Sequence, residues 1–243
     1  MTTEFEWQGW HPSWNACIQQ ALPQLDDSYV KSLKLSRDWL PGADALFNAF
    51  NLPLEKVNYI LLGESPYPRK ESANGYAFWD AAVTDIWSTT GLSKPVNRAT
   101  SLRNIIKMLL VAEGLLSPDN TGQEAIAAIN KTGLVQTNTA FFQNFLQHGF
   151  LLLNATLVLQ PDKVRFDAKM WRPFLKEILN GLIQARPTAK LILLGNIANE
   201  IEGLIPIDPK HAFYAEHPYN LSFIHNPTVL DFFKPLHLLR ENQ

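Results

Sequence analysis

"LLGESPYPRK", residues 61–70, decides how the rest of the chain is read. The run Tyr59-Ile60-Leu61-Leu62 stops at Gly63. A carboxylate, a hydroxyl and two prolines around a tyrosine follow. A short apolar run closed by glycine is the pattern of a buried strand. Its polar tip, Glu64-Ser65, is a strand end built to present groups to something.

Three further runs repeat the pattern. Phe150 to Leu153 is an apolar strand that leads into Asn154. Leu191 to Leu194 is closed by Gly195, and Ala212 to Ala215 ends at Glu216-His217-Pro218. Helical spacing fills the intervals. Residues 12–35 and 171–183 read as helix, and Ile197 to Ile201 opens another. Ala43 to Phe50 reads as a short helix after a turn at Leu40-Pro41-Gly42. Ser101 to Leu110 repeats apolar residues at i, i+3, i+4 and i+7, with Ser101 as N-cap. Val229 to Leu239 reads as helix around Pro235. Buried strands alternating with helices predict an α/β fold: one domain, residues 1–243, with 1–40 as a helical N-terminal extension. Its centre is a four-stranded, mainly parallel sheet with helices on both faces. Ligands of such sheets sit beyond the carboxyl ends of the strands. Those ends carry Gly63-Glu64-Ser65, Asn154, Gly195-Asn196 and His217.

Gly133-Leu134-Val135-Gln136-Thr137-Asn138 echoes Gly149-Phe150-Leu151-Leu152-Leu153-Asn154, so Asn138 competes with Asn154 as the site asparagine. The second copy is more continuously apolar, which places the core strand there.

The chain has 243 residues, 46% of them hydrophobic, enough for a sizeable core. Charged residues are only 18% and the net charge is -2, so any nucleic-acid contact needs a local patch or backbone donors. The single cysteine, Cys17, excludes an internal disulfide and a Cys-cluster zinc site. No secretory signal opens the sequence and no apolar run is long enough to span a bilayer, so a cytoplasmic protein without membrane contact is expected. The spacing of His, Asp and Glu offers no metal site, and no cofactor is implied. The dispersed tryptophans at 7, 10, 14, 79, 87 and 171 read as core rather than a stacking ladder.

Five motifs, in order, resemble the uracil-DNA glycosylase superfamily, most closely its family 1. "LLGESPYP" is similar to the water-activating loop, "NGYAFWD" to the segment with the base-stacking phenylalanine, and "SLRNIIKML" to the serine-led helix. "GFLLLNATLVL" is similar to the strand ending in the uracil-reading asparagine, and "HPYNLSF" to the wedge loop. The resemblance implies a monomer that acts on single- or double-stranded, uracil-containing DNA by flipping the base out of the stack. By the same resemblance Phe78 stacks on the base, Tyr67 excludes the thymine methyl and Asn154 reads the Watson–Crick edge. His217 donates to uracil O2, and Leu221 fills the vacated space. Ser101, Ser222 and backbone amides near Gly195 hold phosphates.

The departures bear on chemistry. Ser65 stands where the family has a catalytic aspartate, Pro68 where it has histidine, and Glu64 where it has glutamine. Tyr219-Asn220 replaces Ser-Pro, and Asn97-Arg98-Ala99-Thr100 replaces several prolines. Each site residue also has a plainer reading. Ser65 is either a catalytic hydroxyl or a loop hydrogen-bonder. Glu64 is either a substitute carboxylate beside the substrate or an outward loop residue. Phe78 and Tyr67 also read as core aromatics, and Leu221 as a loop anchor. Lys163 and Arg165 are a solvated face or a phosphate contact. Three functions compete: a uracil-DNA glycosylase with weak or altered activity, a non-catalytic binder of bases, DNA or a protein partner, and a glycosylase for another base.

Overall fold

The computed structural model describes residues 7–36 and 38–241. The helical stretch expected over 12–35 is two helices, Asn15–Ala21 (α1) and Asp27–Ser36 (α2). A 3-10 turn carrying Pro23 separates them, because proline has no N–H to continue the first. Residues 1–6 of the expected extension lie outside the described residues. Tyr59–Gly63 (β1) follows, then a two-stranded hairpin, Trp87–Ser88 (β2) and Gly91–Leu92 (β3). Helices Lys94–Arg98 (α3), Thr100–Ala112 (α4), Gln123–Ala128 (α5) and Asn138–Gln147 (α6) come next. The chain continues through Phe150–Asn154 (β4), Val164–Ala185 (α7), Lys190–Leu194 (β5), Ile197–Glu202 (α8), Ala212–Ala215 (β6) and Pro227–Phe233 (α9).

The expected sheet is present. It has four strands in the order β4-β1-β5-β6. β1 runs parallel to both β4 and β5, pairing Leu61 with Leu152 and with Ile192. Alternate residues Ile60, Leu62, Leu151, Leu153, Leu191 and Leu193 join one core cluster. Their neighbours Leu61, Leu152 and Ile192 point the other way and are equally buried. Burial on both faces explains why these strands read as continuous apolar runs rather than alternating ones.

Packing divides the chain into two compact units. The first comprises Met1–Ala77, Gly149–Leu193 and Ile197–Phe213. Its core joins the sheet to α1 and α7 through Trp14, Ile18, Phe47, Phe50, Trp171 and Phe174, several of them in edge-on aromatic contacts. Asp167, fully buried on α7, accepts from the Tyr29 hydroxyl, the Gln160 backbone N–H and the Gln160 amide, each at 2.7 Å. The Trp171 indole donates to the same tyrosine oxygen at 3.1 Å. Burial, and then the Asp167 carboxylate, push the Tyr29 hydroxyl well above the usual phenol pKa, so it stays a donor.

The second unit comprises Phe78–His148, Leu194–Asn196 and Tyr214–Gln243. In it α4 packs against α3, α9 and a 3-10 turn at Leu221–His225, burying Leu102, Ile105, Ile106, Leu109, Phe223 and Val229. Trp79 stacks on Phe142 of α6 at 5.2 Å between ring centroids.

Several local expectations need correction. The helix expected at 43–50 is a series of turns ending in a 3-10 helix, Asn48–Asn51. The Asn48 amide there donates to the Asn74 carbonyl rather than lying idle on a helix face. Ser101 is not an N-cap: α4 begins at Thr100, inside the preceding turn. Ala99 links it directly to α3, its N–H donating to the Pro95 and Val96 carbonyls. The C-terminal helix stops at Phe233. Pro235 lies in a 3-10 turn, and His237 adopts a left-handed conformation with φ +46°. The core strand lies, as expected, in the second copy of the internal echo, and in the first Asn138 opens α6 behind a Thr137 cap.

Tyr29→Phe removes one donor from a buried carboxylate and the acceptor of the Trp171 indole. A loss of about 1–3 kcal/mol in unfolding free energy is expected, measured by urea titration with an unchanged slope.

Candidate active site

β1 and β4 end together, with Gly63 paired opposite Asn154. The pairing continues beyond the strands. The Ala155 N–H donates to the Gly63 carbonyl at 2.8 Å, and the Thr156 N–H to the Glu64 carbonyl at 3.0 Å. On its other edge β4 receives the Ala77 N–H at the Leu152 carbonyl, 3.0 Å away. Asn154 is 4% exposed, and its side-chain oxygen lies over Gly63. A Cβ on Gly63 would stand 2.7 Å from that oxygen and 2.9 Å from Ala77 Cβ. The glycine that closes the apolar run is therefore what makes room for the asparagine amide.

Past Gly63 the loop turns outward. Glu64 is exposed, Ser65 and Tyr67 are half-buried, and Pro66 is buried. The Ser65 hydroxyl has no hydrogen-bond partner among the described residues. Pro68 and Lys70 line a cavity of about 580 Å³ with Trp39, Pro41, Leu159 and Pro161.

The second unit contributes a separate cluster. Phe78 and His217 have ring centroids 6.2 Å apart, tilted by 32°. Phe78 has φ +64°, a left-handed conformation that bulky side chains rarely adopt. Such a conformation at a bulky residue is strained and persists only where the surrounding structure holds it. His217 Nδ1 accepts the Tyr219 N–H at 3.0 Å. In the neutral imidazole the proton then sits on Nε2, which becomes the donor. Behind the ring, Gly195 has φ +75°, and a Cβ there would lie 2.7 Å from His217 Cβ. Its N–H donates to the Ala215 carbonyl at 2.9 Å.

The loop after His217 puts two apolar side chains into solvent: Tyr219 is 67% and Leu221 65% exposed. Two polar groups hold it, and sequence reading missed both. Asn104 of α4, fully buried, donates through Nδ2 to the Pro218 carbonyl at 2.7 Å and also approaches those of Tyr219 and Asn220. An asparagine inside the apolar stripe of α4 was the available signal. Glu216 accepts from the Ser222 hydroxyl and, at 3.3 Å, from the Asn226 amide. Ser101 is half-buried in the first turn of α4. The segment from Asn97 to Thr100 is held by Asn97, which donates to the Leu92 carbonyl at 2.9 Å and accepts from Gln123 at 2.8 Å.

Among the described residues no group of three or more His, Cys, Asp or Glu side chains is placed to hold a metal ion. No helix of the described residues is long and apolar enough to cross a membrane.

Comparison with known proteins gives a consistent result. The crystal structure of wild-type UNG from Nitratifractor salsuginis is 42% identical, with a TM-score of 0.91 over 96% of this chain and 94% of that one. The uracil-DNA glycosylase of Streptococcus mutans is 25% identical over 218 residues, 87% of this chain and 85% of that protein. The mimivirus uracil-DNA glycosylase structure, at 17% identity and a TM-score of 0.58, shares the fold. No family model matches the chain.

Gly195→Ala forces a Cβ into His217 from a left-handed backbone. A destabilisation above about 1 kcal/mol is expected, together with a shift of the His217 ring resonances in heteronuclear NMR.

Proposed function

We propose that this chain, which belongs to the uracil-DNA glycosylase superfamily, recognises a flipped uracil or related base in DNA, with hydrolysis of the N-glycosidic bond weak or altered. What supports the reading is Asn154 at the strand end together with Ser65, where the resemblance implies a carboxylate. Asn154 is held over Gly63, whereas Ser65 has a hydroxyl in the place of the family's carboxylate.

In this reading Phe78 stacks on the base, Tyr67 closes the C5 side and the Asn154 amide reads the edge. Breaking the glycosidic bond leaves a cationic sugar and a uracil anion, and the two need opposite charges nearby. His217 serves the anion, because its Nδ1 is occupied by the Tyr219 N–H and its Nε2 is the donor. Leu221 enters the space that the base leaves. Ser101 and the backbone at Gly195 take phosphate oxygens. Ser222 joins them through its N–H, or by releasing Glu216. Nothing neutral in the place of Ser65 offsets the sugar cation. A hydroxyl orients water, but it carries no charge at pH 7. Glu64, one residue earlier and exposed, is the remaining carboxylate of the loop. The substitution at Ser65 also supports a second reading, a binding protein for bases or abasic DNA without catalysis.

Single-turnover excision from uracil-containing single and double strands, at high protein excess, separates the two. The parent is expected to be slow. Ser65→Asp is expected to raise the rate by at least about tenfold and by up to 10²–10⁴, the range of a positioned acid–base group. His217→Ala in that background removes most of the gain. Folded Ser65→Asp protein no faster than an inactive parent favours the non-catalytic reading.

A further inference from the structure

α4 carries two cations one helical turn apart, Arg103 and Lys107, both half-buried. Among the described residues neither has a carboxylate within ion-pair distance. Like charges at i and i+4 repel each other and destabilise a bare helix. Burial, and then Arg103 itself, pull the Lys107 pKa below the usual lysine value, so a nearby anion would relieve both residues.

The pair is tied to the exposed loop. Arg103 Nε donates to Asn104 Oδ1 at 3.1 Å, and Nη1 donates to the Asn97 carbonyl at 3.2 Å. Those bonds fix the guanidinium plane, and Nη2 makes no bond within the protein among the described residues. The same Asn104 amide, through its nitrogen, holds the Pro218 carbonyl in the loop that exposes Tyr219 and Leu221. The turn at Leu221–His225 packs directly on α4. A fixed guanidinium and an ammonium without an ion pair among the described residues therefore lie on the same helix as Asn104, one of the two side chains that hold the loop.

We propose that Arg103 and Lys107 form a phosphate-binding site for the DNA strand that the Tyr219–Leu221 loop engages, setting the loop's position on the backbone independently of base identity. The proposal rests on the DNA-acting reading above. A planar guanidinium suits two phosphate oxygens, and a lysine beside it adds a point charge. Such contacts fix register and carry no sequence information. With a negative net charge, the chain needs local cations of this kind to hold a polyanion.

The test is fluorescence anisotropy of a labelled duplex with a tetrahydrofuran abasic analogue, and of the same duplex without it, between about 50 and 200 mM salt. Parent, Arg103→Gln, Lys107→Gln, the double variant and a control, Lys31→Gln on α2, are compared after their melting temperatures are matched. Each lost phosphate contact should lower the slope of log K against log salt by about 0.9, so the double variant falls by about 2. Both duplexes should weaken by the same factor, and Lys31→Gln should change neither. If Arg103→Gln fails to fold, a fall of about one in the Lys107→Gln slope still supports the site, since Lys107 makes no hydrogen bond within the protein among the described residues. Parent-like slopes in folded variants overturn the phosphate assignment and leave the DNA reading standing. A parent that binds neither duplex overturns both.

Discussion

The parallel pairing of β1 with β4 sets the geometry of the sheet's carboxyl end. It places Gly63 opposite Asn154, and Gly63 has no Cβ to meet the asparagine oxygen. Because the pairing continues through the Gly63 and Glu64 carbonyls, the loop leaves the sheet along a fixed path. A slip of one residue in β4 would turn Asn154 to the opposite face and end its pairing with Gly63. With leucine buried on both faces, the backbone pairing opposite Gly63 and the space over it are what position the polar side chain.

In the second unit a different device does the same work. Gly195 lets the backbone pass close behind His217, and the Tyr219 N–H fixes which ring nitrogen carries the proton. Asn104 then holds the carbonyls beyond it, so two apolar side chains remain in water without the loop collapsing onto them. Exposing large apolar groups on a constrained backbone is costly unless something else is to cover them. In the proposed function that cover is a base stack. The Asn104 and Glu216 contacts supply the loop's rigidity.

The fold was legible because three of the four sheet strands, β1, β4 and β5, are buried on both faces and so stand out as short apolar runs closed by glycine or asparagine. The contest between Asn138 and Asn154 was decided the same way, since only the second lies at the end of a continuous run. What the sequence hid was set by tertiary contacts. The short helix Lys94–Arg98 exists through a Ser93 cap and the Asn97 contacts, neither of which has a period. Ser101 has the composition of a cap but lies in a turn already begun. The left-handed backbone of Phe78 has no trace in its flanking Ala77 and Trp79. The anchoring role of Asn104 needed the Pro218 carbonyl, 114 residues away in sequence, to become visible.

The central claim is that base recognition has outlasted the charge that drives the chemistry. A strand carrying 2′-fluoro-2′-deoxyuridine tests it without turnover, because the fluorine destabilises the sugar cation and the bond survives. Its affinity is to be measured against the same strand with the cytosine base, whose Watson–Crick edge differs, for the parent and for Asn154→Ala. The account predicts that the uracil strand binds at least about tenfold tighter, or about 1.4 kcal/mol, and that Asn154→Ala erases the difference. Equal affinity for the two strands in a folded parent would contradict it.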